Sequence, residues 1–216
     1  MPSAPVQARS RETLRRILNA SETLLETRAF DEISIVDITC DARVAAGSFY
    51  TRFDCKEELR QALFDRYIDD AQQEIAGRLD SGARRRLALP ERVTEVVTVI
   101  TDLFRRRRGI VRSISNYYRV NPERANAATR ARLADVFEHF VQFVLGDGSE
   151  IHHEDPRSAV LFFVHLAAAT CREKILFDDC PVPDPTRHDD ALLVRELGIV
   201  GHAYLGSGSS SVVGAA

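Results

Sequence analysis

Apolar residues return at helical spacing along almost the whole chain. Leu14, Ile17, Leu18, Leu24 and Leu25 recur at intervals of three, four and seven, which predicts an amphipathic helix over about residues 11–27. Ser34, with Asp37 three residues on and Ile35 and Ile38 behind it, predicts a capped second helix over about 34–41. A tight turn at Arg43-Val44 leaves a third helix of about seven residues. A fourth, from Lys56 to about Leu79, carries Leu59, Leu63, Tyr67 and Ile75.

After a polar break at Ser81–Arg86, Pro90 suits the first turn of a helix running to Arg108, with Val93, Val96, Val97, Ile100, Leu103 and Phe104 as its stripe. The four arginines before Gly109 read as a cationic last turn and a glycine stop. A shorter helix over about 110–119 follows, then one opened by Pro122 that reaches Leu145 before Gly146-Asp147-Gly148. Asp155-Pro156 starts a helix to about Phe177, and a last one covers about 187–205 beyond Pro181, Pro183 and Pro185. The expectation is an all-α fold of about nine helices. Its parts are a flexible arm over 1–9, a helical domain over 10–56 with a linking helix over 56–79, a second helical domain over 80–205, and a disordered Gly/Ser tail over 206–216.

Two short helices joined by a tight turn and flanked by longer ones have helix-turn-helix geometry. A helix that enters the major groove needs small side chains where its backbone approaches base edges, and Ala45, Ala46, Gly47 and Ser48 supply them. Phe49 and Phe53, four apart, dock the helix on its own core, whereas Tyr50 points off that face with a hydroxyl suited to a phosphate. Thr51 and Arg52 close the same surface. Lys56 begins the next helix, where its ammonium adds to free N–H groups.

Charge narrows the picture. The chain has 216 residues and a net charge of −3, and its first 70 residues hold ten Arg plus Lys against thirteen Asp plus Glu. Bulk basicity therefore cannot supply DNA affinity, which must come from local placement of groups such as Arg9, Arg11, Arg15, Arg16, Arg43, Arg52, Lys56 and Arg60.

At Ile17-Leu18-Asn19-Ala20, Phe30-Asp31-Glu32-Ile33-Ser34-Ile35, Asp37-Ile38, Gly47-Ser48-Phe49-Tyr50 with Phe53, and Lys56-Glu57-Glu58-Leu59, the chain closely resembles the TetR family of bacterial transcriptional regulators, over roughly residues 10–70. The resemblance implies that Ser34, Tyr50 and Lys56 hold phosphates and that Ala46, Gly47 and Ser48 face bases. It also implies a homodimer on a palindromic double-stranded operator, and a repressor released by a small, largely apolar effector. Three positions depart from the family pattern: Ala29 and Arg43 stand where glycine is usual, and Ala45 where Ser or Thr usually caps the recognition helix. Arg43 compensates if it reaches the DNA backbone.

Past residue 80 only the helical architecture carries over. Ser158–Cys171 is apolar on nearly every face, so one side of that helix needs a partner. By the resemblance, the last two helices build a four-helix bundle across a two-fold axis, with Phe162, Leu166, Ala169, Leu193, Leu197, Val200 and Tyr204 as interface candidates and Gly198 and Gly201 permitting close approach. Effector-pocket candidates are Val97, Ile100, Phe104, Tyr117, Tyr118, Phe137, Phe140, Val141, Phe163, His165 and Thr170.

No apolar run is long enough for a membrane span and the N-terminus has no signal-peptide pattern, so a cytoplasmic protein is expected. The cysteines are scattered, and the adjacent His152 and His153 on a loop seldom converge on one ion, so neither metal nor cofactor is expected. No Ser-His-Asp spacing, phosphate loop or HExxH motif suggests an enzyme. The alternatives are a redox-responsive regulator acting through Cys55, which begins a helix beside Lys56, and a helical enzyme.

Overall fold

The computed structural model describes residues 4–82, 84–177 and 183–206. The expected disordered tail lies, past Gly206, outside the described residues. Nine α-helices account for most of the described chain, which contains no strand: α1 (Ala4–Leu25), α2 (Ile35–Asp41), α3 (Ala46–Tyr50), α4 (Lys56–Leu79), α5 (Leu89–Arg106), α6 (Arg108–Val120), α7 (Ala127–Leu145), α8 (Pro156–Leu176) and α9 (Asp190–Gly206).

Local chemistry explains where these helices depart from the expected ends. α1 begins at Ala4, inside the segment expected as a flexible arm. Gly109 does not stop α5. Only Arg107, with φ −122° and ψ 33°, separates α5 from α6, and Gly109 is helical. Pro122 opens a single 3-10 turn, and α7 starts later, where the Asn126 side chain accepts from the Thr129 N–H at 2.8 Å. At the start of α9 the Asp189 carboxylate accepts from the Leu192 N–H at 2.9 Å, after a turn in which His188 has φ 62°.

The chain divides into two compact units. The first holds the residues up to Asp69 and Arg107–Ala125, with Ile17, Leu25, Ile33, Ile38, Phe49 and Leu59 among its buried side chains. α6 therefore belongs with α1 to α3, not with the 80–205 domain in which it was expected. Gly109 shows why: a Cβ there would come within 2.5 Å of the Leu25 backbone, so only glycine lets α6 lie this close to the end of α1. Arg107 reinforces the contact by pairing with Glu22 at 3.0 Å.

The second unit holds Asp70–Arg106 and the described residues beyond Asn126. α5 is its centre, packed by α7, α8 and α9, and Val93, Val96, Val97 and Val99 have no exposed surface. Gly201 of α9 lets this packing close up, since a Cβ there would meet Phe163 Cε2 at 2.4 Å and Val93 Cγ1 at 2.7 Å. The closeness that glycines 198 and 201 were expected to give between subunits is thus used within one chain.

Candidate nucleic-acid interface

The first unit builds its exposed surface from short, individually capped pieces. Ser34 precedes α2, accepts from the Asp37 N–H at 3.0 Å, and donates its own hydroxyl to Asp37 Oδ2 at 2.8 Å, while its backbone N–H donates to the same oxygen. Those bonds from Ser34, with Arg28 adding to them, hold the Asp37 carboxyl below its ordinary range. The Ser34 donor expected on a phosphate is therefore engaged in holding the start of α2.

The turn from α2 to α3 passes through Arg43, whose φ of 53° is left-handed, a conformation that costs a residue with a Cβ on the order of 1 kcal/mol. Arg16 donates to the Arg43 carbonyl at 2.7 Å. Ala45 precedes α3 and makes no side-chain cap. Phe49 is fully buried with Phe53 beside it, their ring centres 5.2 Å apart, so this face of α3 is anchored in the unit's core. The opposite face is open: Ala45, Ala46, Gly47 and Tyr50 are exposed, Ser48 is half-buried, and a Cβ on Gly47 would meet nothing within 4 Å.

Two of the expected contacts bond within the protein. Arg52 donates to the Ser48 carbonyl at 2.7 Å and to the Ser10 carbonyl and hydroxyl at 3.1 and 3.2 Å, so it ties α3 to α1 in place of facing outward. The Thr51 hydroxyl donates to the Gly47 carbonyl at 2.7 Å, a bond to its own helix. Nothing in the sequence pattern signals either bond, because each partner is a backbone carbonyl, or a serine on a distant helix.

Ion pairing thins the positive charge. Arg15 pairs with Glu12, Arg28 with Asp37, Arg60 with Glu57 and Asp31, and Arg66 with Glu22. Arg60 also lies 3.9 Å from the Phe30 ring centre and 4.1 Å from that of Tyr117. Arg9, Arg11 and Arg43 are exposed and stand outside these pairs.

Most of the expected effector-pocket and interface residues fall in the second unit, with different fates. Val97, Val141 and Phe163 have no exposed surface, and Ile100 and Phe140 almost none, so they are core. Phe104, Phe137 and Thr170 are half-buried. His165 is exposed, stacked 4.4 Å from Phe137. Tyr117 and Tyr118 belong to the first unit, Tyr118 meeting Phe64 edge-on at 5.7 Å, and so do not join the others. Leu193 and Leu197 are buried within the unit, whereas Phe162, Leu166, Ala169 and Val200 are exposed and Tyr204 half-buried. Helical phase decides this: α9 turns its Leu193 and Leu197 side toward its own unit, leaving Ile199 and Val200 outside.

His152 and His153 bond the carbonyls of Gly206 and Tyr204 at the end of α9, at 2.9 and 2.6 Å. Among the described residues no group of three or more His, Cys, Asp and Glu is placed to hold a metal ion, and no helix is long and apolar enough to cross a membrane.

Residues 17–63, from the middle of α1 through α3 into α4, match the family model of bacterial regulatory proteins of the tetR family. No curated protein sequence matches the chain significantly. Among solved structures the fold is similar to a regulatory protein of the tetR family from Rhodococcus RHA1, with a TM-score of 0.65 at 16% identity over 91% of this chain and 98% of that one. It is also similar to a putative TetR-family regulator from Rhodococcus sp., with a TM-score of 0.63 at 16% identity over 91% of this chain and all of the other. A tetR-family regulator from Streptomyces coelicolor follows at 0.62, with 21% identity over 90% of this chain and 83% of that one. At such identities these likenesses speak for the fold, and the family match covers residues 17–63 alone. Within that segment the small-residue α3 is anchored by Phe49 and open toward solvent, and the chain as a whole has a fold similar to these regulators, with residues 17–63 similar to bacterial regulatory proteins of the tetR family.

Proposed function

We propose that the chain is a repressor that binds a palindromic operator as a homodimer and leaves it when a small molecule occupies the second unit. The observation that carries the two-headed reading is the exposed apolar surface of α8 and α9. Leu161, Phe162 and Leu166 on α8, with Ile199 and Val200 on α9, are between 38% and 57% exposed in the single chain. Water contact at five large apolar side chains on two long helices favours a partner, and a second copy meets the same surface isologously. In this reading Ala46, Gly47 and Ser48 of α3 face bases, and Tyr50, Arg43 and Lys56 reach phosphates on either side.

The effector reading shifts from an apolar pocket to a cleft. Val97, Ile100, Val141 and Phe163 are core, while a cleft of about 740 Å³ lies elsewhere in the second unit, lined by Leu79, Asp80, Arg92, His139, Gln142, Phe143 and Glu150 among others. A volume of that size suits a small molecule, and the mixture of Phe143 and Leu79 with charged groups favours an amphipathic one over the largely apolar effector expected from the sequence. Repression follows if such a ligand favours a state that binds DNA less well. Acting on DNA, the protein works in the cytoplasm.

The test is a duplex selected by the wild-type chain from a randomised pool. A two-fold symmetric sequence, bound by a dimer in sedimentation and released by a compound found in a thermal-shift screen, supports the reading. An asymmetric sequence bound tightly by a monomer removes it.

A further inference from the structure

We propose that α1 positions the recognition helix through two arginines, Arg16 at its entrance and Arg52 at its exit, and that Arg16 acts by holding Arg43 in its left-handed turn. The proposal rests on the reading of α3 as the helix that meets DNA.

α3 has five residues, too few to keep a helix by their own hydrogen bonds. Its entrance is weak twice over: Ala45 provides no side-chain acceptor, and Arg43 before it holds φ 53° without being glycine. Phe49 and Phe53 fix one face in the core but leave the pitch of so short a helix to its two ends.

Both ends are held from α1. At the entrance the Arg43 N–H bonds the Cys40 carbonyl and the Val44 N–H bonds the Thr39 carbonyl, each at 3.0 Å, so the turn's amides are satisfied within α2. The Arg43 carbonyl takes the Arg16 guanidinium at 2.7 Å, a charge-assisted bond spanning 27 residues of sequence. At the exit Arg52 donates one nitrogen to Ser48, within α3 itself, and another to the backbone and hydroxyl of Ser10 on α1. Each guanidinium thus binds protein oxygens at the ends of α3. In the proposal they set the angle at which Ala46, Gly47 and Tyr50 are presented and do not act as phosphate contacts.

That difference is measurable. Loss of a phosphate contact weakens every duplex alike and reduces the slope of log K against log salt by about 1, whereas loss of a positioning group lowers preference between duplexes and leaves the slope unchanged. Affinities are measured over a salt series for the duplex selected by the wild-type chain and for an unrelated duplex of equal length, with Arg16→Met, Arg52→Met, Arg43→Gly and the double change Arg16→Met with Arg43→Gly.

Arg16→Met and Arg52→Met are expected to lower the preference for the selected duplex by about tenfold at unchanged slope, a size typical of one misplaced base contact. In the Arg43→Gly background, where the left-handed turn needs no brace, Arg16→Met is expected to cost less than about threefold. Circular dichroism identifies any variant that fails to fold. Arg16→Gln and Arg16→Lys, compared in both backgrounds, then replace Arg16→Met, and the lysine, which keeps a charged donor, is expected to retain more of the preference. Arg43→Gly, which also removes a proposed phosphate contact, serves only as the background; equal weakening of both duplexes with a shallower slope on Arg16→Met or Arg52→Met overturns the proposal, as does an equal cost of the Arg16 change in the two backgrounds. A pool in which the wild type enriches no sequence removes the DNA-reading role of α3 itself, and the proposal with it.

Discussion

The Lys56 ammonium donates to the Phe30 carbonyl at 2.5 Å and lies 4.6 Å from the centre of the same residue's ring. The first residue of α4 is thereby fastened to the turn that precedes α2. Burial pushes the Lys56 pKa down, Asp31 opposing it, yet the ammonium keeps two further donors for a phosphate.

Lys56→Ala is accordingly expected to act twice. Loss of the charged hydrogen bond and the cation–π contact should lower stability by roughly 1–2 kcal/mol, seen in urea denaturation. Loss of the phosphate contact should weaken selected and unrelated duplexes alike and reduce the salt slope. An unchanged slope in a folded variant would leave Lys56 with only its structural role.

Two glycines should respond oppositely to the same change. Gly201→Ala forces a methyl into Phe163 and Val93, and overpacking of this kind costs roughly 1–3 kcal/mol. Gly47→Ala meets nothing within 4 Å and replaces glycine in a helix, so stability should hold or rise by up to about 1 kcal/mol. Thermal unfolding separates the two. If α3 meets DNA as proposed, affinity should nevertheless fall for Gly47→Ala, because the added methyl would stand where the backbone is to approach bases.

Dimer disruption should follow exposure and not mere apolarity. Val200→Arg and Phe162→Arg place charges on the outer faces of α9 and α8, and sedimentation should show folded monomers with weakened operator binding. Leu197→Arg buries its charge within one unit and should unfold the chain, costing several kcal/mol. A folded, dimeric Val200→Arg protein argues against this surface as the interface.

Thiol reactivity should divide the three described cysteines. Cys40 and Cys55 are exposed and should be alkylated in the native protein. Cys171 is buried 3.5 Å from the Thr101 hydroxyl, and burial pushes its thiol up to about 11. Its peptide should stay unlabelled by iodoacetamide at pH 8 until denaturant is added, as mass mapping would show.

Acid should loosen the second unit through Glu138. Hydrogen bonds from Arg157, first, and Gln142 hold its carboxyl down at about 2. A carboxylate with a lowered folded-state pKa contributes stability above its ordinary pKa and loses it as pH falls toward the folded value. Melting temperature should therefore decline between about pH 5 and 2, and Glu138→Gln should flatten that decline slightly, since the pair is exposed and screened.

Helix content, helix count and the anchoring of α3 by Phe49 and Phe53 follow from the sequence because they depend on residues three and four apart, which a chain displays openly. So does the capping of α2, where Ser34 and Asp37 are near neighbours. What the sequence alone cannot place is any contact that depends on how helices turn and approach one another. Leu197 and Val200 are equally apolar on paper, and only the phase of α9 against α5 and α8 buries one and exposes the other. Gly109 reads as a stop because glycine ends helices locally, and the reason it lies within one is the backbone of Leu25, 84 residues earlier in the chain. Arg52 reads as a hand for DNA because an arginine beside a recognition helix has donors to offer. The tertiary structure gave those donors to Ser48 and Ser10, since an acceptor inside the fold is held in reach while a phosphate must be brought to it.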